Sequence, residues 1–177
     1  MSLVVRTFRP KDLAEAAALL REAFERPESD SAYNEWTFAE RLLMDQEGYH
    51  EPLCLVAEDE GRIVGYSALT TAWIGGSKGL ALGPLAVAAG RRGQGIGKAL
   101  VEESVRRAAF PWVLVLGGGY YARFGFEPAL PLGIMLVPGH PENEYLQIRF
   151  LDSQARGNIT GTVRYCNTFY NADGELL

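Results

Sequence analysis

Apolar and polar positions along the chain alternate in short runs, interrupted by three stretches with helical spacing. Leu3 to Phe8 predicts a first strand, and Arg9-Pro10-Lys11-Asp12 opens a helix with Asp12 as N-cap and Glu15 three residues on. Leu13, Ala16, Ala17, Leu20 and Phe24 give that helix its apolar stripe, Pro27 ends it, and Glu28 to Asn34 is a polar loop. A second helix runs from about Thr37 to Glu47, capped by Thr37 with Glu40 completing the capping box and with Phe38, Leu42 and Leu43 inward. Leu53–Glu58 and Arg62–Thr71 form a hairpin about Asp59-Glu60-Gly61, with Trp73 and Ile74 extending its second strand and a break over Gly75 to Gly79. Leu82–Val87 is the next strand. Ile96, Leu100, Ser104 and Ala108, with Val101 and Val105, mark a third helix. A continuous apolar run, Phe110–Leu116, reads as a buried strand. Gly117-Gly118-Gly119 then leads into a helical turn, Tyr120–Phe124, with Gly125 as a left-handed cap and Phe126 returning to the core. Tyr145–Leu151 and Gly161–Phe169 are two further strands, separated by the polar stretch Asp152–Asn158. This order predicts an α/β (α+β layered) fold, a mixed and mostly antiparallel sheet flanked by helices, in one domain spanning residues 1–177.

Gly83-Pro84 breaks the pattern of its strand, because proline has no N–H to give a ladder and belongs at an edge or bulge. A bulge there ends pairing with the following strand and frees backbone groups of Leu85, Ala86 and Val87 for a ligand; an irregular edge strand is the plainer reading.

The segment Arg91-Arg92-Gly93-Gln94-Gly95-Ile96-Gly97-Lys98 joins that strand to the third helix. Its glycines let a ligand approach the backbone, and the first N–H groups of the helix and its dipole point at the loop, with Arg91, Arg92 and Lys98 adding charge. Such a site binds an anion, above all phosphate. Two common templates fail: the dinucleotide fingerprint needs Gly where Lys98 stands, and the P-loop needs Gly at Arg92 and Ser or Thr at Ala99. A metal-dependent phosphate-ester enzyme would need a carboxylate pair near the loop, where Ala86, Ala88 and Ala89 stand.

Composition narrows the partners. The net charge of -5 argues against a general nucleic-acid surface. A negative surface favours a cationic small-molecule partner. His50 and His140 lie far from any ligand spacing, and Cys54 and Cys166 sit in apolar runs, so no metal site and a reduced, cytoplasmic protein are expected. With no signal-peptide stretch and no run near the ~20 apolar residues of a membrane helix, no membrane partner is expected.

Two motifs together, Arg92-x-x-Gly95-x-Gly97 after Leu-Gly-Pro-Leu-Ala-Val and the later Tyr120-Tyr121-Ala122-Arg123-Phe124-Gly125-Phe126, resemble the GNAT superfamily of N-acetyltransferases over about Arg6 to Phe126. The resemblance is to a bacterial subgroup sharing LGPLAV, GQGIG and YYARFGF. It implies a sheet splayed between the fourth and fifth strands and acetyl-CoA as co-substrate. The pyrophosphate would lie on the amides of Arg92, Gly93, Gln94, Gly95, Ile96, Gly97 and Lys98, and the pantetheine would run beside Leu85, Ala86 and Val87, with the Val87 N–H polarising the thioester carbonyl. Tyr121 aligns with the family's general acid, and Tyr120 is assigned to packing. Three glycines stand where the family often has Asn, so the resemblance supplies no contact there. The acceptor is an amine of a small molecule or peptide, attacking directly in a ternary complex, and Glu35, Glu40 and Glu127 are the candidate bases beside a water chain. Tyr33, Glu35 and Trp36 form a lip that shapes the acceptor pocket or is simply solvated. The family also implies a homodimer. A non-catalytic acyl-CoA-binding sensor or structural module is the alternative reading of the same fold.

Overall fold

A computed structural model describes residues 3–28 and 32–177. Met1, Ser2 and residues 29–31 of the polar loop lie outside the described residues. In chain order the elements are β1 (Val4–Thr7), α1 (Leu13–Phe24), α2 (Glu35–Leu43), β2 (Cys54–Asp59), β3 (Arg62–Ile74), β4 (Ser77–Val87), α3 (Ile96–Arg107) and β5 (Trp112–Leu116). A 3-10 turn over Gly118–Phe124 follows, then β6 (Glu127–Pro128), β7 (Ile134–Met135), β8 (Leu146–Phe150) and β9 (Gly161–Tyr165). Strand order is β1-β2-β3-β4-β5-β8-β6, antiparallel except for the parallel pair β4–β5. The outer end of β3 continues past β2 to pair with β9, which carries the short β7 in parallel.

Alternation along β2 divides the layers. Cys54 and Val56 pack with Tyr66, Ala68 and Ala86 under α1 and α2. Leu55 and Ala57 face Ile96 and Leu100 of α3 on the opposite side. Gly65 lies under α3, where a methyl would press on Leu100 and Ile96, so its bare backbone seats the helix. Glu60 (φ 49°) and Gly61 (φ 79°) form a two-residue turn with both φ positive, the geometry suited to strand twist.

Three local expectations are corrected. Helix α2 starts at Glu35 and ends at Leu43, and its cap is Asn34: the Asn34 Oδ1 accepts from Thr37 N (2.9 Å) while Thr37 Oγ1 accepts from Asn34 N (3.3 Å). Thr37 is therefore the inner half of the capping box, and Glu35 and Trp36 of the expected lip lie in the first helical turn. Asp12 does not cap α1 by side chain; its carboxylate accepts from the Arg9 N–H at 2.8 Å and from the Arg6 guanidinium at 2.7 Å, which holds it below the usual carboxylate range despite burial. The turn after β3 is only Gly75-Gly76, since Ile74 already pairs with Ser77.

Gly79 within β4 has a packing cause. A Cβ there would enter the indole of Trp112, which is fully buried in β5 and donates its Nε1–H to Ser77 Oγ at 2.9 Å. Gly79→Ala is expected to lower unfolding stability by about 1–3 kcal/mol through overpacking, read as a lower urea midpoint at unchanged slope.

Candidate active site

The site begins where β4 parts from β5. Pairing runs through Leu80↔Val113, Ala81↔Leu114 and Leu82↔Val115 and stops there. Toward β3 the ladder continues, from Leu69↔Leu82 across a shift to Ser67↔Leu85, Tyr66↔Ala86 and Gly65↔Val87. Gly83 and Pro84 occupy that shift, joined by a cis peptide bond. The missing proline N–H and the bulge release β4 from β5 without releasing it from β3.

Ala88 N–H donates to Val64 O at 3.0 Å. Alternation in an antiparallel ladder gives Ala86 the same sense, so the N–H and C=O groups of Leu85 and Val87 turn away from β3 into the gap. Ala86 differs from its neighbours: its backbone faces β3 and its methyl is buried under α1. The Val87 carbonyl accepts from Arg92 Nε at 3.2 Å, which leaves its N–H as the polar group offered there.

The gap leads directly to the start of α3. Gly95 is the N-cap with φ 82° and Gly93 has φ 76°, conformations that favour glycine, and added Cβ atoms at both would meet nothing within 4 Å. The first helical bond is Ala99 N–H to Gly95 O at 2.9 Å, so the amides of Ile96, Gly97 and Lys98 have no partner within the helix. Gln94 and Lys98 are exposed, whereas the Ile96 side chain is buried in the core, so only its backbone can serve a ligand. Arg91 does not face the anion site. Its Nη1 binds the buried Asp59 at 2.6 Å and its Nε binds Gln94 Oε1 at 2.9 Å, so it braces the loop against the end of β2.

Across the gap, Tyr121 is buried at 9% exposure and lines the cleft with Leu82, Leu85 and Leu116. Its ring lies where a Cβ on Gly117 would stand, and it meets Phe126 edge-on at 5.9 Å. The triple glycine is thus partly explained: Gly117 admits the ring and Gly118 takes φ 66°. Burial, and then the neighbouring Tyr120, push the Tyr121 phenol up to about 12. Tyr120 is exposed and stacked under Arg123 at 4.6 Å, and a Cβ on Gly97 would lie 3.7 Å from its hydroxyl. Tyr120 therefore borders the first turn of α3, which its assignment to packing did not anticipate.

The cleft has a volume of about 260 Å³ and continues between α1, α2 and the C-terminal segment. Phe24, Phe38 and Glu35 line one side, and Tyr165, Phe169, Leu176 and Leu177 the other. The C-terminal wall was missed from sequence. It is built by β9 pairing with β3 and by a return held through Leu177 N–H to Phe169 O at 2.9 Å and the Tyr170↔Leu176 bridge. The candidate bases separate. Glu35 lines the cleft and pairs with Arg26 at 3.2 Å. Glu40 is exposed and outside the cleft lining. Glu127 lies on β6 beyond β8, where both its oxygens take Arg156 at 2.9 Å, and that pairing lowers its pKa. Among the described residues no group of three or more His, Cys, Asp or Glu could hold a metal ion. No helix among them is long and apolar enough to cross a membrane.

A tyrosine favoured in its neutral form makes the fold lose stability as pH turns alkaline. Tyr121 ionises near 10 when unfolded and near 12 when folded, so its contribution is intact below pH 10 and is lost as pH rises through 12. Tyr121→Phe is expected to flatten the fall in urea-measured stability between pH 10 and 11 by up to about 1.4 kcal/mol per pH unit relative to wild type. Parallel curves would overturn the raised value.

Residues 13–113 match the sequence profile of the acetyltransferase (GNAT) family. The chain is 30% identical over 175 residues to the uncharacterized N-acetyltransferase YhbS of Escherichia coli strain K12, covering 94% of this chain and 98% of YhbS. The crystal structure of E. coli YhbS in complex with CoA superposes with a TM-score of 0.80 at 31% identity, over 94% of this chain and 91% of that one. A GNAT family acetyltransferase from Brucella melitensis in complex with acetyl-CoA gives 0.71 at 29% identity, over 94% and 97%.

Proposed function

The chain belongs to the acetyltransferase (GNAT) family, and we propose that it is an acetyl-CoA-dependent N-acetyltransferase working by direct attack of a primary amine, with both substrates held across the β4–β5 gap. The observation that carries this reading is the continuity of the gap: backbone groups of Leu85 and Val87 turned inward lead without interruption to the open amides at the start of α3. The residues fit the co-substrate. Gly93 and Gly95 leave open the space that side chains would fill, so a pyrophosphate can reach the amides from Gly93 to Lys98, while the Arg92 N–H is turned to the Ala89 carbonyl at 3.5 Å. Leu85 and Val87 can pair with pantetheine amides as an added strand does. Acetyl-CoA supplies an acetyl group activated as a thioester.

The Val87 N–H would donate to the thioester oxygen as negative charge builds on it. Tyr121 keeps its proton at neutral pH, and its hydroxyl is the donor proposed for the departing sulfur. The amine needs only to arrive neutral, and Glu35 is the carboxylate of the cleft lining that can meet an incoming ammonium. Two buried free thiols, with Cys54 pushed up to about 12 and Cys166 to about 11 by burial, suit a reducing compartment, and the proposal places the enzyme in the cytoplasm as a single domain.

Calorimetric titration with acetyl-CoA is expected to show saturable binding that Gly95→Val weakens at least tenfold, since a β-branched residue is disfavoured at φ 82° and its side chain enters the pyrophosphate space. No binding at millimolar acetyl-CoA overturns the proposal. Tyr121→Phe is expected to lower kcat about 10²-fold while the KM for acetyl-CoA changes less than about twofold. An unchanged kcat removes Tyr121 from the acid role, and binding without transfer to any amine would leave an acyl-CoA-binding module.

A further inference from the structure

We infer that Tyr120 binds the co-substrate: its hydroxyl donates to the diphosphate of acetyl-CoA, with Arg123 fixing the ring and adding positive charge beside it; this rests on the acetyltransferase reading above. Three neighbours place the phenol. Tyr120 meets Tyr121 edge-on at 5.1 Å and 88°, meets Phe124 at 5.6 Å and 63°, and carries the Arg123 guanidinium over its ring at 4.6 Å. The ring is therefore held although the residue is 42% exposed, and its hydroxyl has no hydrogen-bond partner among the described residues. A fixed ring with a free polar end offers a ligand a donor that costs little conformational entropy to use.

That end stands where the strand and helix halves of the donor site meet. A Cβ built on Gly97 would lie 3.6 Å from Val87 Cγ2 and 3.7 Å from the Tyr120 hydroxyl, so the bare Gly97 sits between the end of β4 and the phenol. Gly97 is the second residue of α3, and its amide is one of those without a partner inside the helix. An anion seated on these amides receives donors from the helix on one side, and Tyr120 reaches it from the turn after β5 on the other. Successive residues of a 3-10 turn point about 120° apart, which is why Tyr121 enters the gap while Tyr120 faces α3. The charge nearby agrees. Arg91 is bound to Asp59 at 2.6 Å and Lys98 stands 3.8 Å from Glu102, whereas Arg123 has no carboxylate partner among the described residues.

The test is calorimetric titration of CoA, dephospho-CoA and pantetheine into wild type and Tyr120→Phe, a change that removes the hydroxyl and keeps the ring under Arg123. CoA is expected to bind the variant at least about tenfold more weakly, as the loss of a hydrogen bond to a charged group implies. Dephospho-CoA, which lacks only the 3′-phosphate, is expected to lose the same factor. The urea midpoint of the unliganded protein is expected to stay in place, because the hydroxyl has no partner in the protein. Unchanged affinity for CoA overturns the inference. So does a loss confined to CoA, which assigns the hydroxyl to the 3′-phosphate, or an equal loss with pantetheine, which carries no phosphate. Weaker binding together with a lowered midpoint marks a packing role and overturns it as well. If wild type does not bind CoA, the acetyltransferase reading falls and takes the inference with it; if wild type and Tyr120→Phe bind alike, only the inference falls.

Discussion

A strand cannot keep both its neighbours when a residue within it has no N–H to give, and the site depends on how that constraint is resolved at Pro84. The loss falls on one side only. Pairing with β3 resumes at Leu85 while pairing with β5 ends at Leu82, so the sheet stays continuous as a scaffold and open as a receptor. Everything the cleft offers follows from that asymmetry: the inward groups of Leu85 and Val87, the exit of β4 toward α3, and the space that Tyr121 enters from the end of β5.

Charge is handled with equal economy of position. The Arg-rich loop supplies mainly backbone donors, because Arg91 is bound to Asp59 and Arg92 reaches back to the Val87 carbonyl. These side chains set the shape of the loop, and the aligned amides of α3 leave the positive end of the helix dipole facing it. A guanidinium on a buried carboxylate is a rigid brace, which suits a loop whose glycines would otherwise leave it many conformations.

Where a local rule forced one outcome, sequence was sufficient. Proline inside a strand implies a bulge, Gly125 at φ 80° caps the turn after Tyr121, and the stripe from Ile96 to Ser104 is buried as its spacing requires. Where the expected template was only one of the local possibilities, it was not: Thr37 with Glu40 reads as the capping box, yet Asn34 caps α2 because its Oδ1 takes the Thr37 N–H and the Thr37 hydroxyl oxygen accepts from the Asn34 N–H. Long-range pairing was hidden altogether. The partnership of Arg91 with Asp59 and the return of β9 beside β3 join residues far apart in the chain, and no periodicity near Phe169 or Leu177 announces that they face Phe24 and Phe38.

The C-terminal return has an evolutionary consequence. The stretch that matches the family profile ends at residue 113, while Tyr165, Phe169, Leu176 and Leu177 come from beyond it. One wall of the cleft thus comes from beyond the profile-matched stretch, while Phe24, Glu35 and Phe38 of the facing wall lie within it. Substitutions in that C-terminal return reshape one face of the cleft while leaving the Gly-rich turn at the start of α3 in place.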